Sequence, residues 1–217
     1  MNLPRAMYLL CHDLDRARLG EDTDLVRGAL LRAAAVADLR LSGLLTDDGG
    51  RAARVPALGG PDDGFLADVL AAVPLGGTAS WFSVVDTAWD TAEARVRGPL
   101  AELGVITPGR RRLCVAGSRT VAVSPEAREL RTRVRAALLS GDAAAPVRDA
   151  VLAVLAVDGD VRTVLGRLEH RRHRAGIRAL GARVDAELPG LRTALAWSIA
   201  GLRTAASAWE WSGSRPA

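Results

Sequence analysis

LVRGALLRAAAVADLRL, residues 25–41, is the stretch that decides how this chain folds. Its apolar residues predict a helix over residues 25–38, with residues 22–24 as the N-cap, and the alternating residues 39–45 predict a strand directly afterwards. Gly28 interrupts the helix near its start, where a glycine costs about 1 kcal/mol relative to alanine. We therefore expect Gly28 to be explained by close packing against another segment.

Arg27 precedes that glycine and is surrounded by Leu, Val and Ala. A charge in apolar surroundings is costly unless it is paired or meets an anion. A guanidinium beside a glycine near a helix start suits a phosphate or a carboxylate. The alternative is an arginine whose aliphatic part packs against apolar neighbours while its guanidinium reaches water. The residues alone leave both interpretations open.

Composition indicates a globular chain of ordinary size. Of its 217 residues, 49% are hydrophobic and 25% charged, and the 29 basic residues are all arginine. The net charge of +4 permits an anionic partner, either membrane lipid or nucleic acid, but does not require one. Cys11 and Cys114 lie far apart among apolar residues, which favours two reduced thiols in a cytoplasmic protein. The longest apolar run, residues 150–157, is far shorter than the roughly 20 residues of a membrane span.

The remaining patterns predict a mainly α, single-domain helical bundle with amphipathic helices around a buried central helix, and two short β-hairpins. Asp47-Asp48-Gly49-Gly50 is the turn of the first hairpin, and residues 105–123 form the second. We expect a long helical stretch over residues 80–103 that bends or breaks at Gly98-Pro99. Further helices are predicted over residues 62–73, 128–139, 145–156 (the buried central helix), 161–180 and 191–208.

Four segments in this order resemble the Golgi phosphoprotein 3 family in a bacterial form. They are Leu9-Leu10 before an acidic turn; residues 25–31 leading to 39–41; Trp81 and the helix with Arg95, followed by residues 100–106; and residues 151–156 with Asp160-Val161 and Leu165. The resemblance implies one domain over residues 1–208, followed by a frayed tail over residues 209–217.

The resemblance also implies a non-enzymatic peripheral membrane protein that binds phosphatidylinositol 4-phosphate. Arg27 matches the family's Arg-Gly element, and Arg18 stands near the position of a family tryptophan. Two family arginines fall near Asp90 and Glu93, with Arg95 and Arg97 slightly downstream. The expected headgroup residues are therefore Arg27, Arg95, Arg97 and Arg18. The carboxylates of Asp90 and Glu93 at these two family positions would repel a phosphate at close range. Another anionic lipid therefore remains an alternative ligand.

The second hairpin is expected to contact the membrane or a second copy of the protein. Its predicted tip carries Arg110, Arg111 and Arg112, which suit an anionic bilayer. The arginine-rich residues 170–174, with Arg167 and Arg178, predict the largest positive strip. An ordinary solvated surface is the alternative in both places. We expect a cytoplasmic protein that associates with the inner membrane surface.

Reactive chemistry has no clear signature in this sequence. Paired aspartates occur at turns and helix starts, where they act as caps, and no nucleophile, phosphate-loop or dinucleotide motif is present. We predict no catalytic residue, cofactor or metal. The alternative function is a winged-helix-like DNA-binding regulator, since residues 24–58 have the outline of a helix followed by a hairpin. Against it, the helix is too apolar to read base edges.

Overall fold

The computed structural model describes residues 1–16, 18–56, 59–108, 121–123, 125–140 and 144–213. Helices dominate this part of the chain, which confirms the predicted mainly α fold. The helices are α1 Leu3–Leu10, α2 Arg27–Leu41, α3 Gly64–Ala71, α4 Trp81–Asp86, α5 Trp89–Glu102, α6 Pro125–Ser140, α7 Val147–Asp158, α8 Arg167–Arg172, α9 Arg174–Glu187 and α10 Leu191–Gly213.

Three small antiparallel sheets accompany these helices. The first pairs His12 with Leu19, the second pairs Asp47 with Ala52 and Ala52 with Ala79, and the third pairs Ile106 with Val123. The strands are β1 His12–Asp13, β2 Arg18–Leu19, β3 Leu45–Asp48, β4 Arg51–Arg54, β5 Thr78–Ser80, β6 Ile106–Pro108 and β7 Val121–Val123.

Helix α2 is the centre of the molecule. Its residues from Arg27 to Leu39 are all buried, and α1, α3, α4, α5, α7 and α10 all contact it. Many of these residues are alanines, so neighbouring helices approach closely on every side. Helix α7 is buried from Asp149 to Ala156, which confirms that the predicted helix is buried. Its predicted central position is wrong, because α2 has the longer buried stretch, and α7 begins at Val147 instead of residue 145.

Two charged side chains inside this core have specific partners. Arg32 donates from Nε to the Val84 carbonyl at 3.0 Å, near the C-terminal end of α4, where helix carbonyls lack intrahelical partners. Asp38 accepts the backbone N–H of Leu3 at 2.6 Å and pairs with Arg148 at 2.9 Å. These contacts explain how an Ala-rich central helix tolerates charges.

Several local predictions were wrong. Residues 39–41 continue α2 instead of starting a strand, and Gly43, with φ of +71°, follows the helix end before β3 begins. A 3₁₀ turn over Glu21–Thr23 and Val26 precede α2, so residues 22–24 do not cap it through a side chain.

The later helices also begin and end at unexpected places. Left-handed Ala88 breaks the 80–103 stretch, while Pro99 lies inside α5. The predicted helix over residues 161–180 begins only at Arg167 and is interrupted at His173, and α10 extends past residue 208. A left-handed backbone conformation at a non-glycine residue such as Ala88 cannot be predicted from the residue type.

Gly28 has the close-packing role that the sequence predicts. An added Cβ there would lie 1.9 Å from the Trp89 carbonyl oxygen, which is backbone and cannot rotate away. The glycine therefore lets the start of α5 rest directly on α2. This close approach brings Glu93, one turn further along α5, to the beginning of α2.

The paired ends of the second hairpin confirm its predicted position. Strands β6 and β7 are antiparallel, whereas Arg110, Arg111, Arg112 and Cys114 lie outside the described residues. Among the helices of the described part, none is both long enough and apolar enough to span a membrane.

Candidate functional site

Arg27 is the centre of a buried polar cluster where α1, α2 and α5 meet. Its Nη1 donates to Glu93 Oε2 at 2.8 Å and its Nη2 to Asp24 Oδ1 at 2.5 Å. Nη2 also donates to the Gly20 carbonyl at 2.9 Å, and Nε donates to Thr23 Oγ1 at 3.3 Å. Only 5% of the Arg27 side chain is exposed. All three guanidinium nitrogens thus have partners within the chain.

Arg27, which the resemblance names as a headgroup residue, is therefore not accessible to a lipid phosphate. Its charge is already compensated by two carboxylates, and its burial closes it to a phosphate. Arg97 approaches the same carboxylate, since its Nη1 lies 3.7 Å from Glu93 Oε1. Glu93 stands between the two arginines. Sequence reasoning treated Glu93 as an obstacle to phosphate binding and missed its role as the partner of Arg27.

The other two expected headgroup residues are also paired. Arg95 forms an ion pair with Asp68 of the α3 helix. Arg18 pairs with Glu21 at 2.7 Å, and both are near Gly20, whose carbonyl accepts from Arg27. The four expected residues therefore do not converge on one pocket.

Two buried side chains beside Arg27 have atoms without a hydrogen-bond partner among the described residues: Tyr8 Oη and His12 Nε2. Their rings meet edge to face, with centroids 4.9 Å apart. His12 Nδ1 lies 2.9 Å from the Tyr8 carbonyl, so Nδ1 carries the proton and Nε2 is a free acceptor. The pKa of His12 is lowered from 6.5 to about 4, mainly by burial, while the hydrogen bond to the Tyr8 carbonyl opposes this shift and the cationic Arg27 and Arg131 add to it.

Cys11 belongs to the same cluster and is fully buried. Burial raises its pKa to about 11, so the thiol is protonated at neutral pH. Cys11 therefore acts as a small core residue there, as the sequence predicted for a buried reduced thiol.

A groove of about 440 Å³ opens at the surface beside this cluster, between the β1–β2 turn and α6. Gly20 belongs both to the groove wall and to the Arg27 cluster. Charged side chains of both signs line it: Arg16, Arg18, Arg131 and Arg162 on one hand, and Asp13, Asp15, Glu21 and Asp22 on the other. Sequence reasoning missed Arg131 and Arg162, which lie far apart in the chain and carry no motif.

Arg131 differs from the other three arginines of the groove. It donates from Nη2 to the His12 carbonyl, its Nε is buried without a hydrogen-bond partner among the described residues, and no described carboxylate forms an ion pair with it. Burial lowers its pKa, against the attraction of Asp13 and Asp15. Its guanidinium is therefore only partly satisfied by the protein.

The basic strip, which we define as Arg167, Arg171, Arg172, Arg174 and Arg178 of α8 and α9, is exposed as predicted. None of these five arginines forms an ion pair with another described residue. Leu168 lies among them with 80% of its surface exposed. The one carboxylate of α8, Glu169, is already paired with Arg135 at 2.6 Å. The strip therefore presents uncompensated positive charge around an apolar side chain.

The strip and the groove are neighbours along α6. Arg131 lines the groove, and Arg135, one turn later on α6, forms a hydrogen-bonded ion pair with Glu169 of α8. Arg162 lines the groove five residues before α8 begins. The two features are therefore connected through α6 and through the segment between Arg162 and α8.

These features define the class: a mainly α, arginine-rich protein with a mixed-charge groove beside an exposed basic strip. The model of the Golgi phosphoprotein 3 (GPP34) family matches residues 3–197, and the chain belongs to this family. No curated protein matches the chain.

The winged-helix alternative does not fit this geometry. A recognition helix must enter a DNA groove. Helix α2, which precedes the β3–β4 hairpin, is buried from Arg27 to Leu39 and has no exposed face there that could enter a DNA groove.

Proposed function

We propose that this protein binds anionic membrane surfaces peripherally, through the basic strip on α8 and α9. The observation that carries the proposal is the group of five exposed arginines without described ion-pair partners around the exposed Leu168. Each arginine near an anionic bilayer contributes about 1 kcal/mol, and an exposed leucine adds apolar contact with the acyl boundary. Family membership supports the same function, because the resemblance implies binding of phosphatidylinositol 4-phosphate.

The lipid selectivity proposed here differs from what the resemblance implies. Arg27 is neutralised by Asp24 and Glu93, and Arg95 and Arg97 are paired as well. A strip of separate guanidinium groups responds to the charge density of the surface more than to one headgroup. We therefore propose binding to anionic lipid in general, with phosphatidylinositol 4-phosphate as one such lipid, at the inner membrane surface of the cytoplasm and without a catalytic role.

The decisive test compares two triple variants with equal net charge. Arg167, Arg171 and Arg174 are replaced by Gln in the first, and Arg51, Arg128 and Arg203 in the control; each set lowers the formal charge from +4 to +1, since 4 − 3 = 1. All six residues are exposed. Sedimentation with vesicles of phosphatidylcholine containing phosphatidylglycerol measures binding across a salt series.

We expect the strip variant to lose about 3 kcal/mol of vesicle binding, roughly a hundredfold, and the control to lose far less. Equal losses would show that only net charge matters and would overturn the strip. Vesicles with phosphatidylinositol 4-phosphate at matched surface charge should bind equally well. A strong preference for them would favour a headgroup pocket. Duplex DNA in the same salt series is the third arm, and tighter binding to DNA than to vesicles would overturn the membrane proposal.

The second hairpin is proposed as an additional contact, either with the bilayer or with a second copy of the protein. Replacement of Arg110, Arg111 and Arg112 by Ser tests it beside the strip variant. Weaker vesicle binding at unchanged thermal stability supports a bilayer contact. A change in the molecular mass in solution supports self-association, and no change in either contradicts both.

A further inference from the structure

The mixed-charge groove between the β1–β2 turn and α6 has a different chemistry from the basic strip. Its lining combines four arginines with four carboxylates, so the formal charges cancel. A polyanionic headgroup would meet as many repulsive as attractive groups there. From this balance we infer that the groove binds a zwitterionic headgroup, a phosphate joined by a short linker to a primary ammonium group. The inference rests on the proposed membrane function, because it names the lipid class that the groove would select.

Arg131 provides the phosphate side. Among the described residues its only hydrogen bond is the one from Nη2 to the His12 carbonyl, and the buried Nε is without a partner. A guanidinium that is partly withdrawn from water and lacks a bound carboxylate is a strong donor to phosphate oxygens. Arg16 and Arg18 line the same groove but are engaged with Asp13 and Glu21. Of these groove arginines, Arg131 therefore has the most unused hydrogen-bonding capacity for an anion.

Asp15 provides the ammonium side. Its carboxylate accepts no hydrogen bond and forms no ion pair among the described residues, whereas its backbone N–H donates to Asp13 Oδ1 at 3.1 Å. Asp22 lies in the same lining and accepts the Arg162 backbone N–H through Oδ2 at 2.8 Å, which fixes its orientation. A primary ammonium has three N–H donors and can satisfy carboxylates that a quaternary ammonium cannot.

Asp15 and Arg131 also affect each other. The attraction of Asp13 and Asp15 partly offsets the cost of burying the Arg131 charge. A phosphate alone at Arg131 would lie close to these two carboxylates and be repelled. A ligand with both charges avoids this repulsion, because its ammonium meets the carboxylates while its phosphate meets the guanidinium.

The same chemistry occurs in a membrane lipid and in a free phosphoamine. Isothermal titration of the full chain with phosphoethanolamine therefore forms the first arm, beside glycerol phosphate, inorganic phosphate, ethanolamine and phosphocholine. The second arm measures sedimentation with vesicles in which phosphatidylethanolamine replaces phosphatidylcholine at a constant fraction of phosphatidylglycerol. Binding in solution and on vesicles indicates recognition of the headgroup itself, and binding in solution alone indicates a soluble ligand.

Three variants locate the binding. Arg131→Gln should weaken phosphoethanolamine binding about tenfold or more, since a hydrogen bond to a charged group is lost. Asp15→Asn should remove the preference for phosphoethanolamine over glycerol phosphate, and its exposed position makes loss of folding a minor concern. Arg128→Gln removes an exposed arginine one turn earlier on α6 and should leave binding unchanged.

The inference and the proposed function fail separately. If phosphoethanolamine does not bind, or binds no better than glycerol phosphate, the groove inference is overturned even where the strip variant abolishes vesicle binding. If the wild-type chain ignores anionic vesicles but binds phosphoethanolamine through Arg131 and Asp15, the membrane proposal is overturned and the groove remains a site for a soluble zwitterion. Unchanged binding in folded Asp15→Asn would show that the ammonium is not recognised there.

Discussion

The buried cluster around Arg27 and the basic strip on α8 and α9 are both built on arginine, but its charge is compensated within the cluster and uncompensated in the strip. Arg27 is 5% exposed and held by two carboxylates, a carbonyl and a hydroxyl. The strip arginines are exposed and have no described ion-pair partner. The availability of a guanidinium for an external anion therefore depends on the carboxylates that the fold brings to it. Four variants or conditions test this contrast, in order of decreasing effect on stability.

The largest effect is expected where α5 rests on α2. Gly28→Ala places a methyl group against the Trp89 carbonyl and should cost about 3 kcal/mol or more, because backbone must move. Urea unfolding monitored by circular dichroism measures the free energy of unfolding. Gly98→Ala is the matched control on α5, where an added Cβ meets nothing within 4 Å. It should be neutral or stabilising by up to about 1 kcal/mol. Similar effects at the two glycines would contradict the close packing.

Acidification should destabilise the cluster through His12. Its pKa falls from 6.5 to about 4 on burial, so the folded state binds fewer protons than the unfolded state between these values. Stability is therefore complete above about pH 6.5 and is lost as the pH falls towards 4, by on the order of 3 kcal/mol. Arg27, Arg131 and Glu93 are the charged groups that act on the ring.

The measurement compares unfolding free energies of the wild type and His12→Gln at pH 7 and pH 4.5. Only the difference in pH dependence is used, which removes the contribution of the carboxylates common to both proteins. Parallel pH profiles would show that His12 is not held neutral in the cluster.

A smaller loss is expected for Glu93→Gln, which leaves the buried Arg27 charge with one carboxylate. Because Glu93 is 29% exposed and Asp24 remains, we expect about 2 kcal/mol rather than the full cost of breaking a buried pair. Glu102→Gln, an exposed position on the same helix, should cost less than 0.5 kcal/mol, on the order of an ordinary surface change. Vesicle binding should not change. Tighter binding by Glu93→Gln at wild-type stability would instead make Arg27 a ligand group restrained by Glu93.

The smallest effect on stability is expected at the basic strip. Replacing Arg171 or Arg178 by Gln removes no described ion pair, so the free energy of unfolding should change by less than about 0.5 kcal/mol. A slight gain would follow from reduced repulsion along the strip. Thermal unfolding of single and double variants measures it. A loss above 1 kcal/mol would show that these arginines have structural partners and are not free for a membrane.

Much of the fold could be predicted from local patterns. The buried helix near residues 145–156, the turn at residues 47–50, the ends of the second hairpin and the packing role of Gly28 all follow from periodicity, turn residues and the cost of a helical glycine. The breaks at Ala88 and His173 could not, because nothing in those residue types ends a helix. Residues 39–41 were misassigned since three alternating residues fit the last turn of a helix equally well.

Sequence alone determined the family, the mainly α class and the position of the exposed basic strip, because each depends on order and composition along one segment. The sequence also indicated that the charge of Arg27 needs a compensating anionic group. Only the tertiary structure decided that the partner is Glu93, 66 residues away, and that Arg131 and Asp15 share one groove. The physical reason is that compensation of a charge depends on distance in space. Carboxylates are frequent in this sequence, and only packing determines which of them reach a given guanidinium.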